Sequence, residues 1–141
     1  MKPSIQFHYQ VPVPELKRKT ELKTFMRSIF KMESKALLTL QVIFCSDEYL
    51  LAINRQHLKH DFYTDIITFD YSDTNGVTGE IYISIDRVRE NAGKLGTRKE
   101  YELHRVLFHG VLHLCGYKDK LKQDKLAMTA KEDFYLARYF R

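Results

Sequence analysis

The chain is poor in the features that mark secreted, membrane-bound or fibrous proteins. Cysteine occurs only twice, at Cys45 and Cys115. Each lies in an apolar context, where a thiol behaves as a small buried hydrophobe rather than half of a disulfide. No apolar run approaches the roughly 20 residues that a membrane-spanning helix needs. The opening MKPSIQFHYQ has neither the apolar centre of a signal peptide nor the arginine-rich amphipathic character of a transit peptide. The expected compartment is therefore the cytoplasm, with no membrane partner. Internal repeats, low-complexity tracts and linkers are also missing, which leaves a single domain over residues 1–141 as the expected organisation.

Charge is balanced rather than extreme. Against 18 Asp and Glu stand 23 Lys and Arg, a net charge of +5. This is compatible with a polyanionic partner but well below the density of a dedicated nucleic-acid module. The hydrophobic fraction of 44% and charged fraction of 29% are those of an ordinary soluble globule.

Periodicity predicts an α+β order. Ile5, Phe7 and Tyr9 alternate with polar residues, as in a half-buried strand. After Pro12 and Pro14, residues 15–32 predict a helix with Leu16, Leu22, Phe25, Met26 and Ile29 as its apolar stripe. Residues 37–44 predict a strand whose alternating set is Leu38, Leu40, Val42 and Phe44, and Asp47 is the expected N-cap of the next helix. Two strand-like runs, 66–71 and 79–85, flank SDTNGVT, in which Asn75-Gly76 is a hairpin signal. Asp86 is the expected cap of a short helix ending around Gly93 to Gly96. Thr97 to Glu100 forms a capping-box pattern ahead of a nearly all-apolar helix, and an amphipathic segment closes the chain over residues 123–139. The expected fold is a mixed sheet of about four strands covered by helices.

The most informative stretch is HGVLHLCGYKDK, residues 109–120. His109 and His113 are four apart on the apolar helix, so their side chains share a face roughly 5–6 Å apart and can reach one cation. Gly116 follows where helices commonly end in a left-handed residue, so the chain can fold back and bring Asp119 to the same point. Two nitrogens, one carboxylate oxygen and an open fourth position is the pattern of a catalytic zinc site rather than a structural one. Asp124 is a rival third ligand. Gly110 stands where a zinc peptidase of the HExxH type keeps its general base, which disfavours peptide hydrolysis.

These residues resemble the signature of the YbeY family of metal-dependent endoribonucleases and rRNA maturation factors, HGxLHLxGYDH. Thr64 to Phe69 is similar to that family's TDVLSF strand, Gly79 to Ile83 to its GDIxI strand, and Met128 and Glu132 fall where its closing helix has a Met and a Glu. The resemblance covers essentially the whole chain. It implies a single-strand-directed endoribonuclease acting on ribosomal RNA, at the 3′ end of the small-subunit rRNA and in ribosome quality control. The family's third histidine ligand falls at Asp119, and the Asp before it at Lys118. Asp is a competent zinc ligand, and a harder anionic donor shifts the expected preference toward Ni or Mn. A family arginine thought to engage phosphate falls at Leu58, with Arg55, His57, Lys59 and His60 as neighbours that can supply its charge. Tyr63 and Tyr117 are expected to pack rather than stack on bases.

The expected site is therefore His109, His113 and Asp119 around one Zn2+, with Arg55, Lys59 and His60 toward RNA phosphate. Two other classes fit the same residues. One is a non-catalytic ribosome-assembly factor with a structural metal; the other is a zinc hydrolase of a small substrate, which needs an enclosed pocket.

Overall fold

A computed structural model describes residues 3–141. The elements run β1 (Ser4–Tyr9), α1 (Lys19–Met32), β2 (Leu37–Cys45), α2 (Asp47–His57), β3 (Ile66–Asp70), β4 (Val77–Ser84), α3 (Ile85–Leu95), α4 (Lys99–Leu114) and α5 (Lys122–Tyr139). The four strands form one mixed sheet in the order β1-β2-β4-β3. The first two pairings are parallel, and the β3–β4 hairpin is antiparallel. Its turn is closed by the bridge between Asp73 and Gly76, where the Asn75-Gly76 signal lies.

Alternation along the strands separates two faces. Leu40, Val42, Phe44, Ile81 and Ile83 enter the main core with α1, α4 and α5. Cys45 and Ile67 face a smaller cluster beneath Leu50 of α2. On α1, Leu22, Met26, Ile29 and Phe30 are at most 1% exposed, and each such side chain contributes about 1.5–3 kcal/mol on burial. Both thiols are free and buried, as expected of small hydrophobes. Among the described residues, no helix is long and apolar enough to cross a membrane.

Several element starts differ from expectation, each for a local reason. Helix α1 begins at Lys19 rather than residue 15. Leu16 closes a turn onto Val13, Arg18 sits in the left-handed region (φ 49°), and Glu15 is drawn away to Arg89. Leu38 faces solvent and Leu37 the core, because a register shift between Leu37 and Thr39 inserts one residue into β2. The caps of α2 and α3 are Ser46 and Ser84, whose hydroxyls accept from the Tyr49 and Arg87 amides. Asp47 instead takes the Ser84 hydroxyl and Arg87, and Asp86 accepts the Asp47 amide, so the two aspartates cross-link helix starts. The capping box at Thr97 does not form. The Thr97 amide is committed to the Ala92 carbonyl that ends α3, so α4 starts from Arg98 without a side-chain cap.

Helix α4 is the central element. From Glu102 to Leu114 most of its residues are buried, and Gly110 is the reason it lies so close to the sheet. A methyl group there would stand 2.8 Å from the Cδ1 atoms of both Ile66 and Ile81. This close approach presses one end of α4 against β3 and β4, and the histidines lie at that end.

Candidate metal centre

His109 and His113 emerge one helical turn apart from the C-terminal half of α4, with ring centroids 4.6 Å apart and planes at 83°. The helix then stops in a Schellman motif. Gly116 adopts φ 105°, the Tyr117 amide donates to Leu112 and the Gly116 amide to His113. The reversal returns Asp119 so that its Oδ2 lies 3.2 Å from His109 Nε2 and 3.3 Å from His113 Nε2. The three ligand atoms all lie within 4.8 Å of one another. Ligands on a tetrahedral ion bound at 2.0–2.1 Å stand about 3.3–3.4 Å apart, so the spacing of the carboxylate from each imidazole fits one first-row divalent ion. Asp124, in the first turn of α5, lies outside this group.

The second nitrogen of each ring is committed elsewhere. His113 Nδ1–H donates to the Tyr117 carbonyl at 2.9 Å, and His109 Nδ1–H donates to Glu132 Oε2 at 2.6 Å. Both bonds leave the Nε2 lone pairs free for a cation, and a carboxylate behind a ligating histidine raises its basicity. Glu132, on α5, is 4% exposed and accepts from Arg105 Nη1 at 3.1 Å. Arg105 in turn holds the fully buried Glu102 through two bonds, at 2.8 and 2.5 Å. The series Glu102–Arg105–Glu132, in which only the guanidinium is partly exposed, thus alternates in charge, as interior ionic groups must, and ends on the His109 imidazole. Burial alone would depress the pKa of His109, but the Glu132 bond and charge, with Asp119 and Asp65, carry it above the ordinary value.

A cleft of about 560 Å³ opens over the three ligand atoms. Asp65, immediately before β3, lines it half-buried. Desolvation raises its carboxyl pKa, against the pull of His109 and Arg105. Leu58, His60 and Phe62 form another side, with the His60 ring stacked on Phe62 at 5.1 Å, and Lys120 stands beside Asp119. Of the proposed phosphate-facing residues, only His60 lines this cleft. Arg55 is exposed and ion-paired with Asp61, and Lys59 is exposed in the left-handed region (φ 56°). His57 packs edge-on against Phe69. Tyr63 donates to Glu48 and Tyr117 to Glu33, so both hydroxyls are spent within the protein.

Sequence reasoning gave Glu132 no role and passed over Arg105, Asp65 and Lys120. For Arg105 a signal was available on α4 itself, where Glu102, Arg105, His109 and His113 recur at helical spacing and the other residues from Glu102 onward are apolar except His104.

Comparison with known proteins places these residues in context. The family model described as Endoribonuclease YbeY matches residues 6–140. A protein of Cytophaga hutchinsonii with the name Endoribonuclease YbeY is 52% identical over 124 residues, covering 87% of each chain. One of the same name from Bacteroides thetaiotaomicron is 42% identical over 127 residues, covering 90% of this chain and 92% of its own. The solution structure of TM1509 from Thermotoga maritima superposes with a TM-score of 0.66 at 30% identity, covering 93% of this chain and 87% of that one.

Proposed function

This chain belongs to the endoribonuclease YbeY family, and on that premise we propose that it cleaves single-stranded RNA around a divalent ion held by His109, His113 and Asp119. The observation that supports this most directly is the convergence of two imidazole Nε2 atoms and one carboxylate oxygen at the floor of a cleft, with both Nδ1 atoms already engaged. When bound, the ion supplies Lewis acidity, acidifying water and offsetting charge that gathers on a phosphoryl oxygen.

The protein's own groups do the rest. The Glu102–Arg105–Glu132 chain holds His109 in one tautomer and orientation, and the Tyr117 carbonyl does the same for His113. His60 and Lys120 offer the cleft cationic or hydrogen-bonding groups for phosphate, and the Phe62 ring beneath His60 offers a face for a base. Asp65 presents a carboxyl close to the site that can accept or return a proton. The donor set suits Zn2+, with Ni2+ and Mn2+ as further candidates because of the carboxylate. The substrate is ribosomal RNA, cut in maturation of the small-subunit 3′ end and in ribosome quality control, in the cytoplasm.

An open cleft serves a nucleotide chain better than the enclosed pocket that a small-molecule hydrolase needs. Single-turnover cleavage of a short unstructured RNA by nuclease-free, metal-loaded protein tests the proposal. His113→Ala should lower the rate by about two orders of magnitude or more, roughly 2.7 kcal/mol of transition-state stabilisation. Unchanged cleavage would make the metal a structural element only.

A further inference from the structure

Helix α1 carries a charge pattern that the metal site does not use. Lys19, Lys23, Arg27 and Lys31 follow one another at i,i+4, and Lys35 continues the series just beyond the helix. Residues at this spacing share one face, so the four helical cations form a single row about 18 Å long with a step of about 6 Å. The acids nearest in sequence are spoken for: Glu21 pairs with Arg18, and Glu33 with Lys131. None of the five cations enters an ion pair among the described residues.

Two of the row are held by rings of the edge strand β1. Lys19 Nζ lies 4.6 Å from the Tyr9 ring centroid and Lys23 Nζ 5.0 Å from that of Phe7. At the other end, Arg27, Lys31 and Lys35 border one shallow cavity of about 670 Å³. Like charges at i,i+4 destabilise a helix, whereas a merely solvated helix face gains from mixing signs. An unmixed row with no internal counter-charge therefore points to an external anion of matching length.

We propose that this ridge is a second RNA contact, gripping the phosphate backbone of RNA that flanks the segment held in the metal cleft. This rests on the RNA-cleaving function proposed above. The ridge lies by β1, at the edge of the sheet opposite to β3, across three strand spacings of about 4.8 Å. An oligonucleotide confined to the cleft does not span this distance, and a longer RNA does. Insertion into a lipid surface is disfavoured, because the apolar face of α1 (Leu22, Met26, Ile29 and Phe30) is already buried in the core.

The test is the triple variant K23Q/R27Q/K31Q in the full chain. Its substrates are a short unpaired oligonucleotide and a long RNA that flanks the same unpaired segment with hairpins. Cleavage of the oligonucleotide should be unchanged. For the long RNA, KM should rise while kcat holds, and the slope of log affinity against log salt should become shallower by about 2 units, at roughly 0.7 per lost contact. At 0.15 M salt this corresponds to about a fiftyfold weaker affinity if each cation holds one phosphate. Equal affinities and equal salt slopes for wild type and variant would overturn the proposal, leaving an acidic protein partner as the alternative occupant. The binding isotherms decide the matter even if the wild-type protein cuts neither RNA. In that event it is the nuclease function that fails.

Discussion

Replacing Glu132 with Gln probes how far the metal centre depends on a residue that does not touch the metal. The wild-type carboxylate serves two donors at once, His109 Nδ1 at 2.6 Å and Arg105 Nη1 at 3.1 Å, with only 4% of its side chain exposed. The amide has the same shape but one acceptor oxygen and no charge, so at least one donor loses its partner and His109 loses the anion that raises its basicity. Outer-shell carboxylates of this kind are worth 10–100-fold in metal affinity, or about 1.4–2.7 kcal/mol. Competition against a chromogenic chelator at neutral pH measures this, with His109→Ala as the lower bound. Urea unfolding of the metal-free proteins provides the control, because Arg105 keeps its two bonds to Glu102 and the fold should survive. A Glu132→Gln variant that binds metal as tightly as wild type would refute the idea that the charge chain sets the affinity of the site.

Asp119→Ala should weaken metal retention sharply, since it removes the carboxylate that both Nε2 atoms approach, whereas Asp119→His should keep or raise affinity; elemental analysis after dialysis distinguishes them. Chelating the metal should leave the helical circular dichroism signal largely intact, because α4 is packed by apolar residues on both sides of the histidines. The cost should be only the linkage term, about 2.7 kcal/mol at a free metal concentration of 100 times Kd, and loss of most helical signal would mean a structural site. Glu15 is held below the usual carboxylate range chiefly by its hydrogen bond to Arg89. The stability it contributes is therefore full above the ordinary Glu pKa and is lost as pH falls through the lower folded value. Urea midpoints over that acidic range should fall less steeply for Glu15→Gln than for wild type.

The site was legible in sequence where its geometry is local. His109 and His113 share a helix face by spacing alone, and Gly116 announces the turn that returns Asp119, so three converging atoms come from an eleven-residue stretch. What was not legible comes from packing between distant elements. Glu132 meets His109 only because α5 lies against α4, and Asp65 reaches the cleft only because β3 forms the edge of the sheet beside it. The same division governs the fold. Strand and helix positions followed the hydrophobic period, but cap assignments slipped wherever Ser and Asp compete within a residue or two, as at Ser46/Asp47 and Ser84/Asp86. Arg55 illustrates the limit of charge counting, because its guanidinium is paired with Asp61 and does not line the cleft.

The two histidines are supported by different kinds of partner, and this divides what mutation can reach. The partner of His109 is a side chain, so a single codon change at position 132 can weaken or retune that ligand. His113 leans on the Tyr117 carbonyl, which every amino acid at position 117 would also carry. Its orientation can be altered only by moving the main chain, for instance by denying Gly116 its left-handed conformation. One ligand is thus open to gradual adjustment across descendants of this protein. The other is fixed for as long as the helix ends where it does.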